Sequence, residues 1–498
     1  MVQAPVALPT AVPAIDLVAQ AIAQIRRAGC EYGDIRVGHY RHQSLAAHDR
    51  SLGHLADYES CGFGVRVLWE GAWGFAASPR RTLAEVDRVV ALAIAIAQGS
   101  RLSQQKRVQL APVAAYQDDY TTPIVQDPFQ VPVAAKADLL LTLTDRLLRH
   151  GDRGLKKADA ALRFTRAEQW FASTEGSQIH QVLYRSHAEF RATAIANGDA
   201  QSRSYERPPL NRGYEHIDAA DLLAQVDRVA EEAIAKVHAS TGPQGERLTL
   251  ILKPSHLYLT IHESVGHPTE LDRVYGYEAN FAGTSFATPD LLGRLQYAAP
   301  WVNFRADRTQ PGGRSTMAYD DEGVPAQDWY VVKDGVLVDY LSDRETAHRL
   351  GRGGSRGCAY ADSWASVPMV RIPNLGLEPG PVGGPRTATL AEMIADTENG
   401  ILIDGIGSFS IDQQRRNFQF GGDAFWKIEQ GRCVGMLKDV TYHAATTDFW
   451  NAVDAIGPAS EWEQQGTSFC GKGEPLQMAQ MTHACVPVRV REIQVGRM

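Results

Sequence analysis

The pattern of apolar and polar positions changes character near the middle of the chain. Residues 14–29, AIDLVAQAIAQIRRAG, put Ile15, Val18, Ile22 and Ile25 at helical spacing, and Gly29 closes the run. Strand-like segments follow around DIRVGHY, SLAAHD and FGVRVLWEGAWGFAAS, where alternating or continuous apolar stretches are broken by glycine turns. TLAEVDRVVALAIAIAQ returns to a helical period. Residues 101–131 hold prolines, glutamines and few apolar patterns, and read as a meandering loop leading into a helix near 132–150. Strand-like runs at 159–172 and 178–195 and a helix near 218–239 complete this half, and STGPQGE at 240–246 reads as a linker. Beyond it, short β-rich runs such as DWYVVKDGVLVDYL alternate with glycine and proline turns, and the main helix is expected around HESVGH. The pattern predicts an α+β protein of two domains, a mixed α/β domain at 1–240 and a β-rich domain at 241–498.

Composition adds exclusions. A chain of 498 residues, 44% hydrophobic and 22% charged, is long enough for substantial cores without staples. A formal charge of −8 and no basic block leave no footprint for nucleic acid or an anionic membrane, so neither partner is expected. The apolar N-terminus lacks a basic n-region and is interrupted by prolines before Ile15, which speaks against a signal peptide, and no run reaches the length of a bilayer span. Six cysteines without a CxxC pair fit reduced thiols, and a cytoplasmic location is expected. GRGGSRG at 351–357 completes neither GxGxxG nor GxxxxGK[ST] and reads as a loop.

The chemistry concentrates in His262–His267. The apolar strand 247–252 turns at Lys253-Pro254, and Ser255 is placed to cap a helix starting near His256. Leu257, Ile261 and Val265 share one stripe, with His262, Glu263 and His267 on roughly the opposite arc, facing outward. Histidines five apart on a regular helix diverge by about 140° and rise about 7.5 Å, too far for one metal ion. The backbone must therefore deviate. Gly266 tolerates unusual dihedrals and Pro268 biases His267 away from the α region, so the helix is expected to bulge or end at His267. Two imidazoles holding a Lewis-acidic metal beside an unligated glutamate make a hydrolytic site, with Glu263 as general base and acid. Two unrelated histidines flanking a glutamate are the competing reading, and spacing does not choose a third ligand.

At HESVGHPTELD the chain resembles the TldD/PmbA family, in particular its TldD-type peptidase subunit, in the HExxxH interval and in the acidic Glu270 that follows. The resemblance extends in order through GFGVRVLWEGAWGFAAS (62–78), SRSYERPPLNRGYE (202–215), DDEGVPAQDWYVVKDGVLVDYLSDRETA (320–347), VPMVRIPNLGLEPG (367–380), GILIDGIGSFSID (400–412) and TSFCGKGEP (467–475). It implies a two-domain TldD/PmbA-like fold. It also implies one Zn2+ per chain on His262, His267 and Cys470, with Cys485 the rival thiol and Glu263 catalytic. The expected substrates are unfolded or extended peptides or peptide precursors, and the expected assembly is a homodimer or a heterodimer with a PmbA/TldE-type subunit. The loop at 351–357 and the run at 370–374 are candidate peptide lining, through Gly353, Gly354, Arg371 and Asn374. A non-catalytic partner or regulatory subunit of such a complex is the alternative. GIGSFSID is poorer in glycine than the family's version of that turn, which bears on peptide specificity rather than on the ligand set.

Overall fold

The computed structural model describes residues 12–497. Its first half is built on a seven-stranded sheet with unusually long strands. Helix α1 (Ala14–Arg27) precedes β1 (Tyr32–His48), β2 (Ser51–Trp69) and β3 (Ala72–Ser78). Helix α2 (Leu83–Ser103), the short edge strand β4 (Gln117–Thr121) and α3 (Val133–Leu148) follow. Then come β5 (Leu155–Ser173), β6 (Gln178–Ala196), β7 (Asp199–Leu210) and α4 (Ala219–His238). The order is β3-β2-β1-β5-β6, with β4 parallel to the start of β6 and β7 antiparallel to its later part.

Strand alternation assigns the two faces. Ile35, Val37, Leu45 and Ala47 of β1 are all odd-numbered and point to one side, where α1 and α2 cover one end of the sheet and α3 and α4 the other. The even positions, among them Asp34, Arg36 and Tyr40, face the second half of the molecule: Asp34 and Glu322 grip Arg66 at 2.7 and 3.1 Å, and Tyr40 packs with Met317 and Tyr360. Both faces are covered, so Asp34 and Arg36 of DIRVGHY are buried along with its apolar positions.

In the second half, a ten-stranded sheet centres on the strand Arg247–Leu252. It runs parallel to Asn399–Asp404 on one side and antiparallel to the terminal strand Val488–Arg497 on the other. A hairpin of Glu463–Lys472 and Gln477–Cys485 stands apart from this sheet and packs on α5 (Pro254–Ile261). Differences from the sequence reading have local causes. The loop at 101–131 contains β4, too short and polar to register as a strand, and the 240–246 linker begins with Ser240–Thr241 paired in parallel to Arg432–Lys438. Among the described residues, no helix is long and apolar enough to cross a membrane.

Candidate metal centre

Strand Arg247–Leu252 delivers the chain into α5, which starts at Pro254 rather than at His256. Proline suits the first helical position, where its missing N–H is not needed. Ser255 is not the cap, because its hydroxyl is drawn instead to the Asp404 carboxylate. The helix is buried on every side, so His262, Glu263 and His267 face the interior and not solvent as the stripe suggested. His256 is a satisfied core residue, held by the Gly405 carbonyl at 2.8 Å and the Tyr442 hydroxyl at 2.9 Å.

Residues His262–Gly266 form a π turn in which the His267 N–H donates to the His262 carbonyl, so the interval of five becomes one closed turn. The two rings approach to 4.6 Å between centroids at 77°. The causes differ from those the sequence suggested. His267 stays in the α region (φ −61°, ψ −39°), and Gly266 has an ordinary negative φ. Glycine is needed for space, since a Cβ at 266 would stand 2.7 Å from Ile372 Cδ1. Pro268 acts by lacking a donor: the Ser264 carbonyl accepts from the Tyr297 hydroxyl, and Thr269 Oγ1 donates to the Val265 and Gly266 carbonyls at 2.8 and 3.0 Å.

Hydrogen bonds fix both tautomers. His483 Nδ1 lies 2.8 Å from the Leu375 carbonyl, which can only accept; the proton of this ring is therefore on Nδ1 and its Nε2 is an acceptor. His262 Nδ1, 2.9 Å from that Nε2, must donate, which leaves His262 Nε2 with a free lone pair. His267 Nδ1 donates to Glu270 Oε2 at 2.7 Å and frees its own Nε2, 3.5 Å from Cys470 Sγ. Burial lowers the pKa of all three rings and favours the neutral form, the one that binds metal. Burial pushes the Cys470 thiol up, but the adjacent His267, whose Nε2 can take the thiol proton, and Arg371 outweigh it and hold the thiol below its usual range. Burial likewise opposes ionisation of Glu270, yet Lys472 at 3.2 Å, together with His267 and Arg273, holds it well below the usual carboxylate range.

The ligand atoms of His262, His267 and Cys470 lie within 4.8 Å of one another. With Zn–S near 2.3 Å and Zn–N near 2.0–2.1 Å, a tetrahedral site has an S–N edge of about 3.6 Å, close to the observed 3.5 Å. Two neutral imidazoles and a thiol of lowered pKa suit a borderline-soft divalent ion. Cys485 is remote in role: its buried thiol has a raised pKa and contacts the Pro254 carbonyl. Glu263 stays outside the ligand set, with Oε2 3.6 Å from Arg415 Nη1. Arg415 sits at φ +61° in a loop tied down by Asp412, a left-handed conformation costly for a side-chain-bearing residue.

Arg371 is brought to this site but directs its guanidinium at the Cys470 and Gln477 carbonyls. Asn374 is buried, bonded to the Asp307 carbonyl and Thr316 Oγ1 at 2.9 Å each. Gly353 and Gly354 are exposed and line a separate cleft with Asp339 and Arg352. His483 and Arg415 are the two site residues that sequence reasoning missed, since neither falls in a spaced motif.

The buried donor set is one that can hold a metal ion. Family models match three stretches: PmbA/TldA metallopeptidase domain 1 over residues 33–97, the central domain over 126–240 and the C-terminal domain over 245–497. The chain belongs to the PmbA/TldD metallopeptidase family. It is 26% identical to Metalloprotease MJ0996 of Methanocaldococcus jannaschii, over 89% of this chain and 92% of that protein. It is 21% identical to a zinc metalloprotease TldD homolog of Saccharolobus solfataricus, over 95% and 98%. The fold matches the crystal structure of TldE from Thermococcus kodakarensis with a TM-score of 0.71 at 14% identity, over 96% of this chain and 100% of that one.

Proposed function

We propose that the protein is a TldD-type peptidase that holds one Zn2+ per chain on His262 Nε2, His267 Nε2 and Cys470 Sγ, and hydrolyses unstructured peptides. The observation that carries this reading is the convergence of three buried donors, two with lone pairs freed by fixed tautomers, beside a glutamate that none of them uses. Zinc in that position would polarise the scissile carbonyl and acidify a water molecule. Glu263 takes the proton from the attacking water and passes it to the departing amine. Glu270 and His483 hold the two histidine rings in their metal-facing tautomers, and Arg371 fixes the strand that carries Cys470. Arg371 thus acts through Cys470 rather than by touching peptide.

A ligand set buried inside the fold favours flexible chains over folded substrates. Fold likeness to TldE supports pairing with a TldE-type subunit or with a second copy of this chain. Unpaired cysteines fit a reducing cytoplasm. The test is cleavage of a fluorogenic unstructured peptide by zinc-loaded wild type and Glu263→Gln. Loss of about 10²–10⁴-fold in rate with zinc retained is expected, and an unchanged rate would sink the mechanism.

A further inference from the structure

On the face of the 463–485 hairpin opposite the metal ligands lies a cavity of about 220 Å³. Cys470 pairs with Ala479 across the hairpin, so alternation turns Met478 and Gln480 the other way, where they wall this cavity. The opposite wall is the face of β1, β5 and β6 that looks toward the second half of the molecule. There His42, Thr165 and Arg185 form one cross-strand row, and Tyr40, Ala167 and Leu183 the next.

Arg185 is buried in this wall, forms no ion pair among the described residues, and its Nε has no hydrogen-bond partner there. A second cation stands behind it. Arg314 is buried, donates from Nη2 to Ser468 Oγ at 3.1 Å, and leaves Nε and Nη1 without partners among the described residues. Burial first and the Arg185 charge second push the Arg314 guanidinium down to about 9, against a smaller opposing pull from Glu206. Two carboxylates also line the cavity, and neither pairs with Arg185. Asp321 accepts from Gln169 Nε2 and the Ala361 N–H, and Asp362 from Ser366 Oγ and the Met478 N–H. A buried guanidinium without a partner is costly, and a cavity beside it large enough for an amino-acid side chain is where the missing anion fits.

We propose that this cavity binds a small monocarboxylate with an apolar body, its head group on Arg185. The wall combines Leu183, Ala167, Met317 and Met478 with one open cation, which suits a hydrocarbon-bearing carboxylate. The nearby Asp321 and Asp362 disfavour a doubly charged phosphate. A free acyl amino acid and the C-terminus of a peptide share this chemistry.

The test is calorimetric titration of the full chain with N-acetylleucine and with its uncharged amide, before and after chelation of metal, on wild type and Arg185→Met. The acid is expected to bind and the amide to bind at least about tenfold more weakly, as loss of a charge-assisted pair requires. Arg185→Met is expected to lose the acid by a similar factor, and chelation to change nothing. A leucine-terminated acetylated tetrapeptide, as acid and amide, identifies the source: binding of its acid form assigns peptide C-termini, and its failure beside bound N-acetylleucine assigns the free acid. With no bound carboxylate, Arg185→Met is also expected to melt no lower than wild type, because methionine fills the space without a buried charge. If the methionine variant does not fold, Arg185→Gln takes its place, with the same loss of acid binding expected. Equal binding of acid and amide, unchanged binding by Arg185→Met, loss of binding on chelation, or no binding at all with water alone filling the cavity would each overturn the proposal.

Discussion

Glu263 and Arg415 face each other at 3.6 Å next to three donors that can share one ion, and each of these side chains has a separable effect. On the proposed mechanism Glu263 contributes to turnover and not to metal retention, which is why its glutamine variant discriminates between mechanism and scaffold. On the same proposal His483 supports metal retention through its hydrogen bond to His262. Replacing it with leucine removes the only acceptor seen for His262 Nδ1 among the described residues, and zinc affinity should fall about 10–100-fold, measured by competition with a chromophoric chelator. Unchanged affinity would mean that His262 holds its tautomer without help. The two histidines and Glu263 were legible because they share one short segment. His483 and Arg415 were not, because His483 reaches His262 across 221 residues through the fold of the hairpin, and Arg415 through a strained loop. Cys470 was legible only through resemblance; nothing in its local spacing selects it over Cys485.

At the scale of the element, the π turn carries the site. The interval of five histidine-to-histidine positions announced a distortion, and the distortion is there, but its cause lies in tertiary contacts that sequence does not display. Gly266 gives way to Ile372, and the carbonyls freed by Pro268 and the wide turn find hydroxyls of Tyr297 and Thr269. Gly266→Ala should therefore destabilise the protein by about 1–3 kcal/mol through overpacking, and Ile372→Val in the same chain should restore part of it, read as the midpoint of urea unfolding. No rescue would show that the backbone, and not the ring of contacts around it, resists the methyl group. Strands of the first half were legible as apolar runs. Their length was not, because glycines inside β1 and β2 read as turns, although Ile25 and Tyr40 close over those of β1 and His48, Phe75 and Trp364 over those of β2.

At the scale of the molecule, the halves are joined by buried ion pairs close to the site helix. Asp404 binds Arg203 of β7 at 2.6 Å, Lys253 at 2.9 Å, and the hydroxyl of Ser255 in the first turn of α5. Burial resists its ionisation, but Arg203 and Lys253 hold its pKa far below the usual carboxylate range. A carboxylate with a depressed folded-state pKa contributes stability that is present above its unfolded value near 4 and fades as pH falls below it. Asp404→Asn should thus cost about 1.5–3 kcal/mol near neutral pH, where Arg203 keeps Glu232 and Asp423 but loses one of its three carboxylates, and progressively less below about pH 4, measured by unfolding at several pH values. A pH-independent deficit would contradict the ion-pair account. The terminal strand Val488–Arg497 lies between Arg247–Leu252 and Val440–Ala445, so removal of residues 488–498 should abolish cooperative unfolding. A truncated chain that still melts as one unit would show this strand to be dispensable.

The predictions on turnover and metal retention depend on one ion being held by side chains from two distant parts of the chain. The most direct measurement is metal content by mass spectrometry on purified wild type, His262→Ala, His267→Ala and Cys470→Ala, with folding checked by circular dichroism. The account predicts about one zinc per wild-type chain, set by one three-donor site, and little or none in each folded variant. Full zinc occupancy in a folded Cys470→Ala chain would contradict the assigned site, and its retention in all three variants would remove the metal from this place altogether.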